Sequence, residues 1–457
     1  MQMARTGLPV PPPSPFPDAT IGRMEAPHSS HVVIVGGGLA GVACAKLLAR
    51  EDRARVTLID QNGYQQFQPL LYQVATAELA GRDISFDHTD IFSKDSSVTL
   101  VQSKAVSADP DHCSATLDDG TTLTGDYLVI AAGAQPNFFH TPGAGDFAFP
   151  LYSLTDARRV RERVLQLVGD AAAKPELIDE GALTFVVVGG GPTGVEISGA
   201  LSELVHDVLP HRYPQLGVGN AKIILVDLGH TLLAPFTDES HTYAARQLQR
   251  RGVELRLGTA VSEVARDHVT FRDGTTIQTH LVIWGGGEMA APIAGEVGIG
   301  QGRGGRLDVG PDLSLPGHPN VFAVGDVANI PYGDEGALPQ LGSVAQQSGA
   351  WAARNILGDI DGTGREPFHY RDKGIMAMIG RKAAVAELGP HRHEMHGRIA
   401  FAAWLGVHAE LLANADAEVK AFMAWAEDFY FRPHHRSAEL LDPAQVELPK
   451  IHWGQSR

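Results

Sequence analysis

Cysteine is nearly absent. Cys44 and Cys113 are the only two in 457 residues, and they form no CxxC or CxxxxC pair. That argues against a disulfide framework, a cysteine-built zinc site and redox-disulfide chemistry, and it suits the cytoplasm. Positive charge is also scarce: 37 Lys and Arg face 53 Asp and Glu, a formal net charge of −16. Such a balance argues against nucleic acid or an anionic membrane as the main partner. No window approaches the roughly eighteen apolar residues of a membrane-spanning helix. Residues 1–30 are Pro-rich, lack an apolar run of signal-peptide length and read as a disordered arm. What the chain has in quantity is glycine, 51 residues, several of them clustered where phosphate-binding turns need them. Its length calls for at least two domains plus appendages.

The segment "HVVIVGGGLAGVACAKLLAR" is a buried strand running into a glycine turn and a helix, with Gly36, Gly38 and Gly41 fitting G-x-G-x-x-G. The first glycine permits the tight turn and the second lets the backbone approach a pyrophosphate. The third lets helix and strand pack closely, while the helix N-terminus, with Leu39 and Ala40, faces the anion. A second strand, "ARVTLID", ends at Asp60, about twenty residues on, where an acid can bind a ribose hydroxyl, with Gln61 following. The alternative is a glycine-rich turn without a ligand, which this full context disfavours. The pattern then recurs. "LTFVVVGGGPTGVEISGALSEL" sets Gly189, Gly191 and Gly194 after another apolar strand, with Pro192 and Thr193 opening the helix, and "AKIILVDLG" ends at Asp227. An acid there, with no basic residue directly after it, favours NADH over NADPH, because a 2′-phosphate would meet a like charge. His230, if protonated, would compensate in part. Two sites in one chain suggest a bound redox cofactor and a diffusible nicotinamide.

At this point the chain resembles the two-dinucleotide-binding flavoproteins. "DYLVIAAGAQPNFF" looks like their strand-and-glycine crossover, and "LVIWGGGEMAAP" like its counterpart leaving the NADH domain. "HPNVFAVGDVANI" is the most specific match, in which the Asp of the "GD" pair, here Asp326, reaches the flavin's ribityl chain; an ordinary helix cap is the alternative. "YQQFQPLLYQVATAELAGRDI", "FHYRDKGIMAMIGRKAAVAEL" and "WLGVH" resemble the type II NADH:quinone oxidoreductases, so the likeness covers nearly everything from His31 onward. Disulfide reductases and sulfide:quinone oxidoreductases carry cysteine pairs that are missing here. The resemblance implies FAD and NADH as cofactors, hydride transfer from NADH to FAD, and two electrons passed on to a quinone-like acceptor. It implies cofactor contacts at Val106, Ala132, Gly133, Gly285, Gly286, Gly325, Asp326 and Val327, besides both fingerprints. Glu196 matches the family's glutamate beside the nicotinamide; the alternative is a carboxylate favoured by the helix dipole in a first turn. Gln347 matches the second glutamine of the family's A-Q-x-A-x-Q run at the flavin and quinone headgroup.

Departures from the family concern the acceptor. Gly342–Ser343 stand where Ala–Gln is usual, and Gln340 or Gln346 would have to replace the missing amide; a solvated helical pair is the plain reading of Gln346 and Gln347. "SFDHTDIF" lacks the usual proline and arginine. The run from Trp404 to Phe431 opens like the family's membrane-gripping helix, yet sets Glu410, Asp416, Glu418, Glu427 and Asp428 against Lys420 alone. Each basic residue lost at an anionic surface forfeits about 1 kcal/mol, so a helix packed on its own protein or on a second subunit is expected. His391, His393, His396 and the "PHHR" run are expected to be solvated turn residues, with no metal.

The expected architecture is α/β: two Rossmann-like dinucleotide-binding domains plus a C-terminal α+β cap. The FAD domain comprises 31–150 and 310–367, the NADH domain 151–309 is inserted in it, and the cap, 368–457, covers the flavin's far side. The expected enzyme is cytoplasmic and at most loosely peripheral to the membrane, and it acts on NADH and a small-molecule acceptor. No nucleic acid is expected, and a homodimer is left open. The rival reading is a soluble NADH-dependent flavin enzyme reducing a small metabolite or dioxygen.

Overall fold

The computed structural model describes residues 29–216, 220–333, 336–389, 392–410, 448–451 and 453. The arm at 1–28 and the acidic stripe from Leu411 onward lie outside them.

Valine and isoleucine runs with no polar alternation form the cores of two similar sheets, as strands buried on both faces require. In the first, Ser30–Val35 lies between Tyr127–Ile130 on one side and Ala54–Asp60 on the other, all parallel. Val98–Gln102 flanks the one edge, and His318–Ala323 then Ser314–Leu315 the other. The second sheet repeats that order. Thr184–Val188 sits between Leu281–Trp284 and Lys222–Asp227, with Phe149–Pro150 and Val253–Leu257 outside. In each sheet the chain leaves the central strand in one direction and returns on its other side. That order opens a crevice at the strand's carboxyl end, where ligands of such sheets bind. Each half also carries a small antiparallel sheet: Ala105–Asp109, Ser114–Leu117 and Thr122–Thr124 in the first, Val261–Val264, His268–Phe271 and Thr276–Gln278 in the second. Two short crossing strands, Ala134–Pro136 and Glu288–Ala290, pair antiparallel and tie the halves together.

Helix packing at backbone distance decides where glycine is needed. A Cβ on Gly349, in the helix Gly342–Ile360, would stand 2.0 Å from the carbonyl oxygen of Ala40 in the helix Leu39–Leu48. This contact presses the late helix onto the first glycine turn.

The C-terminal unit touches both halves. Its sheet, Gly374–Gly380, Ala383–Leu388 and His393–His396, packs on the second nucleotide unit. A Cβ on Gly199, in the helix Pro192–Glu203, would meet the Ile379 carbonyl oxygen at 2.0 Å. Buried Glu387 accepts from the Thr237 and Ser240 hydroxyls, closing the N-terminus of the helix Asp238–Arg250. Glu203 faces Arg251 at 3.7 Å and Arg381 at 4.0 Å. The physical reason is the small-residue face of Pro192–Glu203, which lets a strand come close. His393 and His396 lie in a strand, contrary to the turn expected for them; His391 lies outside the described residues.

Candidate functional site

The two glycine turns use their glycines alike. A Cβ on Gly36 would stand 2.2 Å from the Ala131 carbonyl oxygen, and one on Gly41 would stand 1.8 Å from that of Gly36. In the second turn the matching distances are 2.4 Å from Gly189 to the Gly285 oxygen and 1.7 Å from Gly194 to the Gly189 oxygen. Gly36 and Gly189 also hold positive φ, +107° and +114°, which only glycine adopts freely. The first and third glycines are therefore required by the fold. The middle ones are not: a Cβ on Gly38 or Gly191 would meet nothing within 4 Å. Each opens its helix as the residue before the first turn, so free N–H groups and the positive helix end face open space. That combination fits a diphosphate.

The acids at the strand ends hold these turns. Asp60 accepts the N–H of Gly37 at 2.6 Å and that of Asn62 at 2.6 Å. Asp227 accepts the N–H of Gly190 and that of Gly229, both at 2.5 Å. A carboxylate offers about four lone pairs, so either acid keeps capacity for a ribose hydroxyl. Leu228, Gly229 and His230 after Asp227 are exposed. Burial pushes the Asp60 carboxyl up, against the lowering effect of the Asn62 and Gly37 amides.

His88 is a supporting residue that sequence reasoning passed over. It is buried, its Nε2 lies 2.9 Å from the Gly37 carbonyl oxygen, and a Cβ on Gly37 would strike its ring at 2.4 Å. The run "SFDHTDIF" drew notice only for what it lacks. Its signal was the histidine itself, placed by the strand Ser85–Asp87, which pairs with Tyr64–Gln66.

The crossing strand Glu288–Ala290 lies against the "GD" turn, Gly325–Val327. Gly325 takes φ +70° and its N–H donates to Ser348 Oγ at 3.0 Å. Asp326 Oδ1 is buried without a hydrogen-bond partner, an arrangement that calls for a donor from a bound molecule. Burial pushes Asp326 up to about 6 although the Arg306 guanidinium opposes it. Gln340 donates to the Asp326 carbonyl at 3.1 Å, and the Ala134 N–H donates to the Tyr152 hydroxyl at 2.8 Å beside Gly133. The open step at Gly38, the acid at Asp60 and the orphaned Asp326 oxygen fit FAD, with its diphosphate on the first turn and its polyol at Asp326. Ala132, Gly285 and Gly286 follow the strand ends and are partly exposed, whereas Val327 is fully buried in the core. Val106 sits on the first small sheet, 41% exposed.

Glu196 lies in the first turns of the helix Pro192–Glu203, and its carboxyl turns toward the C-terminal unit. Its Oε1 accepts the Met378 N–H at 3.2 Å. Burial pushes it up to about 8, while the Met378 amide and the Trp404 indole pull it down. Trp404 is buried, stacks on His408 at 4.0 Å between ring centroids, and meets Tyr72 edge-on at 6.4 Å. His408 also faces Phe67 edge-on at 6.2 Å. The "WLGVH" segment thus docks on the segment that holds Phe67 and Tyr72, joining three stretches distant in sequence around Glu196.

Gln347 has its amide held by a neighbouring segment. It accepts from the Arg371 N–H at 3.0 Å and donates to the Arg371 carbonyl at 3.1 Å, which keeps one N–H and one lone pair for a bound molecule. Ser343 Oγ lies 2.8 Å from the Tyr370 hydroxyl, and Tyr370 meets Tyr332 edge-on. Away from these crevices, Glu239, Glu394 and His396 bring ligand atoms within 4.8 Å of one another. His396 also stacks on Tyr243. Among the described residues no helix is long and apolar enough to cross a membrane.

Comparison with known proteins agrees with this geometry. The profile of the pyridine nucleotide-disulphide oxidoreductase family matches residues 30–349. The type II NADH:quinone oxidoreductase Ndh of Mycobacterium tuberculosis is 34% identical over 421 residues, covering 89% of each chain. The type II NADH:quinone oxidoreductase of Haemophilus influenzae is 27% identical over 385 residues, covering 78% of this chain and 87% of that one. The solved structure of NDH2 from Plasmodium falciparum in complex with NADH superposes with a TM-score of 0.81 at 18% identity, over 90% of this chain and 100% of that one.

Proposed function

The chain belongs to the pyridine nucleotide-disulphide oxidoreductases and, within them, to the type II NADH:quinone oxidoreductase family; from that premise we propose that it oxidises NADH and passes two electrons to a quinone-like acceptor. The single observation that carries this reading is the pair of open glycine steps, Gly38 and Gly191, in one chain. The first serves a resident FAD and the second a diffusible NADH.

FAD, when bound, supplies the redox chemistry, taking up hydride from NADH and yielding two electrons to the acceptor. The chain's residues supply place and charge. The N–H groups behind Gly38 and Gly191 receive the diphosphates, Asp60 and Asp227 receive ribose hydroxyls, and Asp326 receives the polyol. Asp227 also turns away a 2′-phosphate by like charge. Glu196, between the NADH helix and the C-terminal unit, holds a proton at neutral pH. It can then act as a neutral hydrogen-bond donor in a site that gains negative charge.

A second acceptor class is favoured by one observation: Ser343 and Tyr370 offer hydroxyls where the family has an amide. A small oxidised metabolite or dioxygen would suit that change. For location we favour an enzyme at the cytoplasmic side, at most loosely peripheral to the membrane; the support is the acid excess between Trp404 and Phe431. Flavin occupancy with an acceptor screen tests both: NADH oxidation with a soluble quinone supports the first, and its failure with every quinone but success with another oxidant supports the second.

A further inference from the structure

The two glycine turns differ in how their second residue, Gly37 or Gly190, is held. Its N–H goes to the strand-end acid in both: Gly37 to Asp60 at 2.6 Å, Gly190 to Asp227 at 2.5 Å. Its carbonyl does not go to the same kind of group. In the second turn the Gly190 oxygen accepts the backbone N–H of Leu233 at 2.7 Å. In the first turn a side chain takes that place, His88 Nε2, 2.9 Å from the Gly37 oxygen. A carbonyl only accepts, so this ring nitrogen carries a proton and donates it.

The first turn is shaped around the imidazole. His88 is 4% exposed, and its own N–H donates to the Gly63 carbonyl at 2.9 Å, which fixes it to the loop behind Asp60. A Cβ on Gly37 would stand 2.4 Å from Cε1 and 2.6 Å from Nε2 of the ring. One on Gly190 would come no nearer than 3.1 Å to any atom, at the Asp227 side chain. Gly37 thus leaves its side-chain space to His88. The effect reaches the other end of the same peptide. A trans peptide is planar, with its C=O and N–H pointing in opposite directions. Holding the Gly37 carbonyl at His88 therefore turns the Gly38 N–H away from the ring, out of the turn at the open step.

We propose that His88 is a positioning residue for the resident flavin. By donating to the Gly37 carbonyl it aims the Gly38 N–H at the FAD diphosphate, a task that falls to the Leu233 backbone at the NADH site. The proposal rests on the reading that FAD occupies the first nucleotide site. An amide N–H aimed at a phosphate oxygen makes a charge-assisted hydrogen bond, stronger than a neutral one, so the direction of this peptide bears on how long the flavin stays. Retention of FAD then depends on one replaceable side chain, whereas NADH binding does not.

The test compares the wild-type holoprotein with His88→Leu, which loses the donor, and His88→Gln, whose amide N–H reaches about as far as Nε2. The readouts are the rate of FAD release on dilution, seen as a rise in free-flavin fluorescence, and the phosphorus NMR resonances of the bound FAD. His88→Leu should release FAD about tenfold faster, the factor for one hydrogen bond to a charged group, and should displace a diphosphate resonance. His88→Gln should restore both in large part. The apparent KM for NADH, measured with added FAD, should keep its wild-type value in each variant. Release rates and resonances equal in wild type and His88→Leu would overturn the proposal and leave the FAD reading intact. Faster release from both variants with unmoved resonances would overturn it too, since that is loss of packing alone. Wild-type protein without flavin would sink the FAD reading and the proposal with it. If His88→Leu does not fold, His88→Asn replaces it, because its shorter amide stops short of the Gly37 oxygen. Faster release and a displaced resonance relative to His88→Gln then support the proposal, and equal behaviour overturns it.

Discussion

Asp227 accepts the backbone N–H of Gly190 at 2.5 Å, so the acid proposed to select the nucleotide also fixes the glycine turn beside it. Asp60 does the same for Gly37 in the first site. This double duty sharpens the expected preference for NADH. Like charges brought close near a protein surface repel by about 1 to 4 kcal/mol, so Asp227→Ser should narrow the NADH-over-NADPH ratio of kcat/KM by roughly fivefold or more. Equal rates with both nucleotides in the wild type would contradict the assignment.

The glycines of one turn should separate by phenotype. Gly41→Ala drives a Cβ to 1.8 Å from the Gly36 oxygen and should cost ~1–3 kcal/mol or more, seen as a lowered denaturant midpoint. Gly38→Ala meets open space, and its loss as a helix-capping residue costs only about 1 kcal/mol. Its damage should appear instead as flavin lost during gel filtration. The same split is expected between Gly194→Ala and Gly191→Ala, read as the apparent KM for NADH.

Glu196 predicts a pH effect of definite sign. Its folded-state value, about 8, lies above the ordinary 4.5, so the folded protein binds the extra proton between those limits. Stability contributed this way is full below the lower limit and falls as pH rises toward about 8. Glu196→Gln keeps an acceptor for the Met378 N–H but cannot ionise. Thermal melts from pH 5 to 8.5 should therefore fall less steeply for the variant than for the wild type.

His408 gives the opposite sign. It is pulled down by burial to about 4 from 6.5, its Nδ1 bonded to the Trp404 carbonyl, so the unfolded chain binds more protons in that window. Stability should fall as pH drops from about 6.5 to 4. His408→Phe should flatten that stretch of the melting curve. Trp404→Ala, which empties a fully buried site, should cost ~3–5 kcal/mol at any pH.

Much of this was legible in the sequence because glycine spacing and strand-end acids are local codes. Gly41 and Gly194 are fixed by contacts within one strand-turn-helix unit, and Asp60 and Asp227 each end a strand, whereas Gly36 and Gly189 also press on the distant Ala131 and Gly285 carbonyls. Asp326 was legible as well, through the apolar strand before it. What escaped depends on contacts between distant segments. His88 reaches Gly37 across fifty-one residues, and Glu387 caps a helix 150 residues away. No period or motif announces such pairs. Gln347 shows the converse case. A position read from the family resemblance has its amide bonded to the Arg371 backbone, which only the packing of two segments decides. The C-terminal unit was expected beside the flavin from the family resemblance alone; its close approach to the second nucleotide unit depends on Gly199, whose missing side chain no local signal announces.

The central claim is that one chain holds both nucleotides and moves a hydride between them. Anaerobic addition of NADH to the purified protein, followed by a soluble quinone, tests it most directly. The account predicts a yellow protein that bleaches at one NADH per flavin and recovers its colour when the quinone is added. A colourless protein, or a yellow one that NADH leaves unbleached, would contradict it.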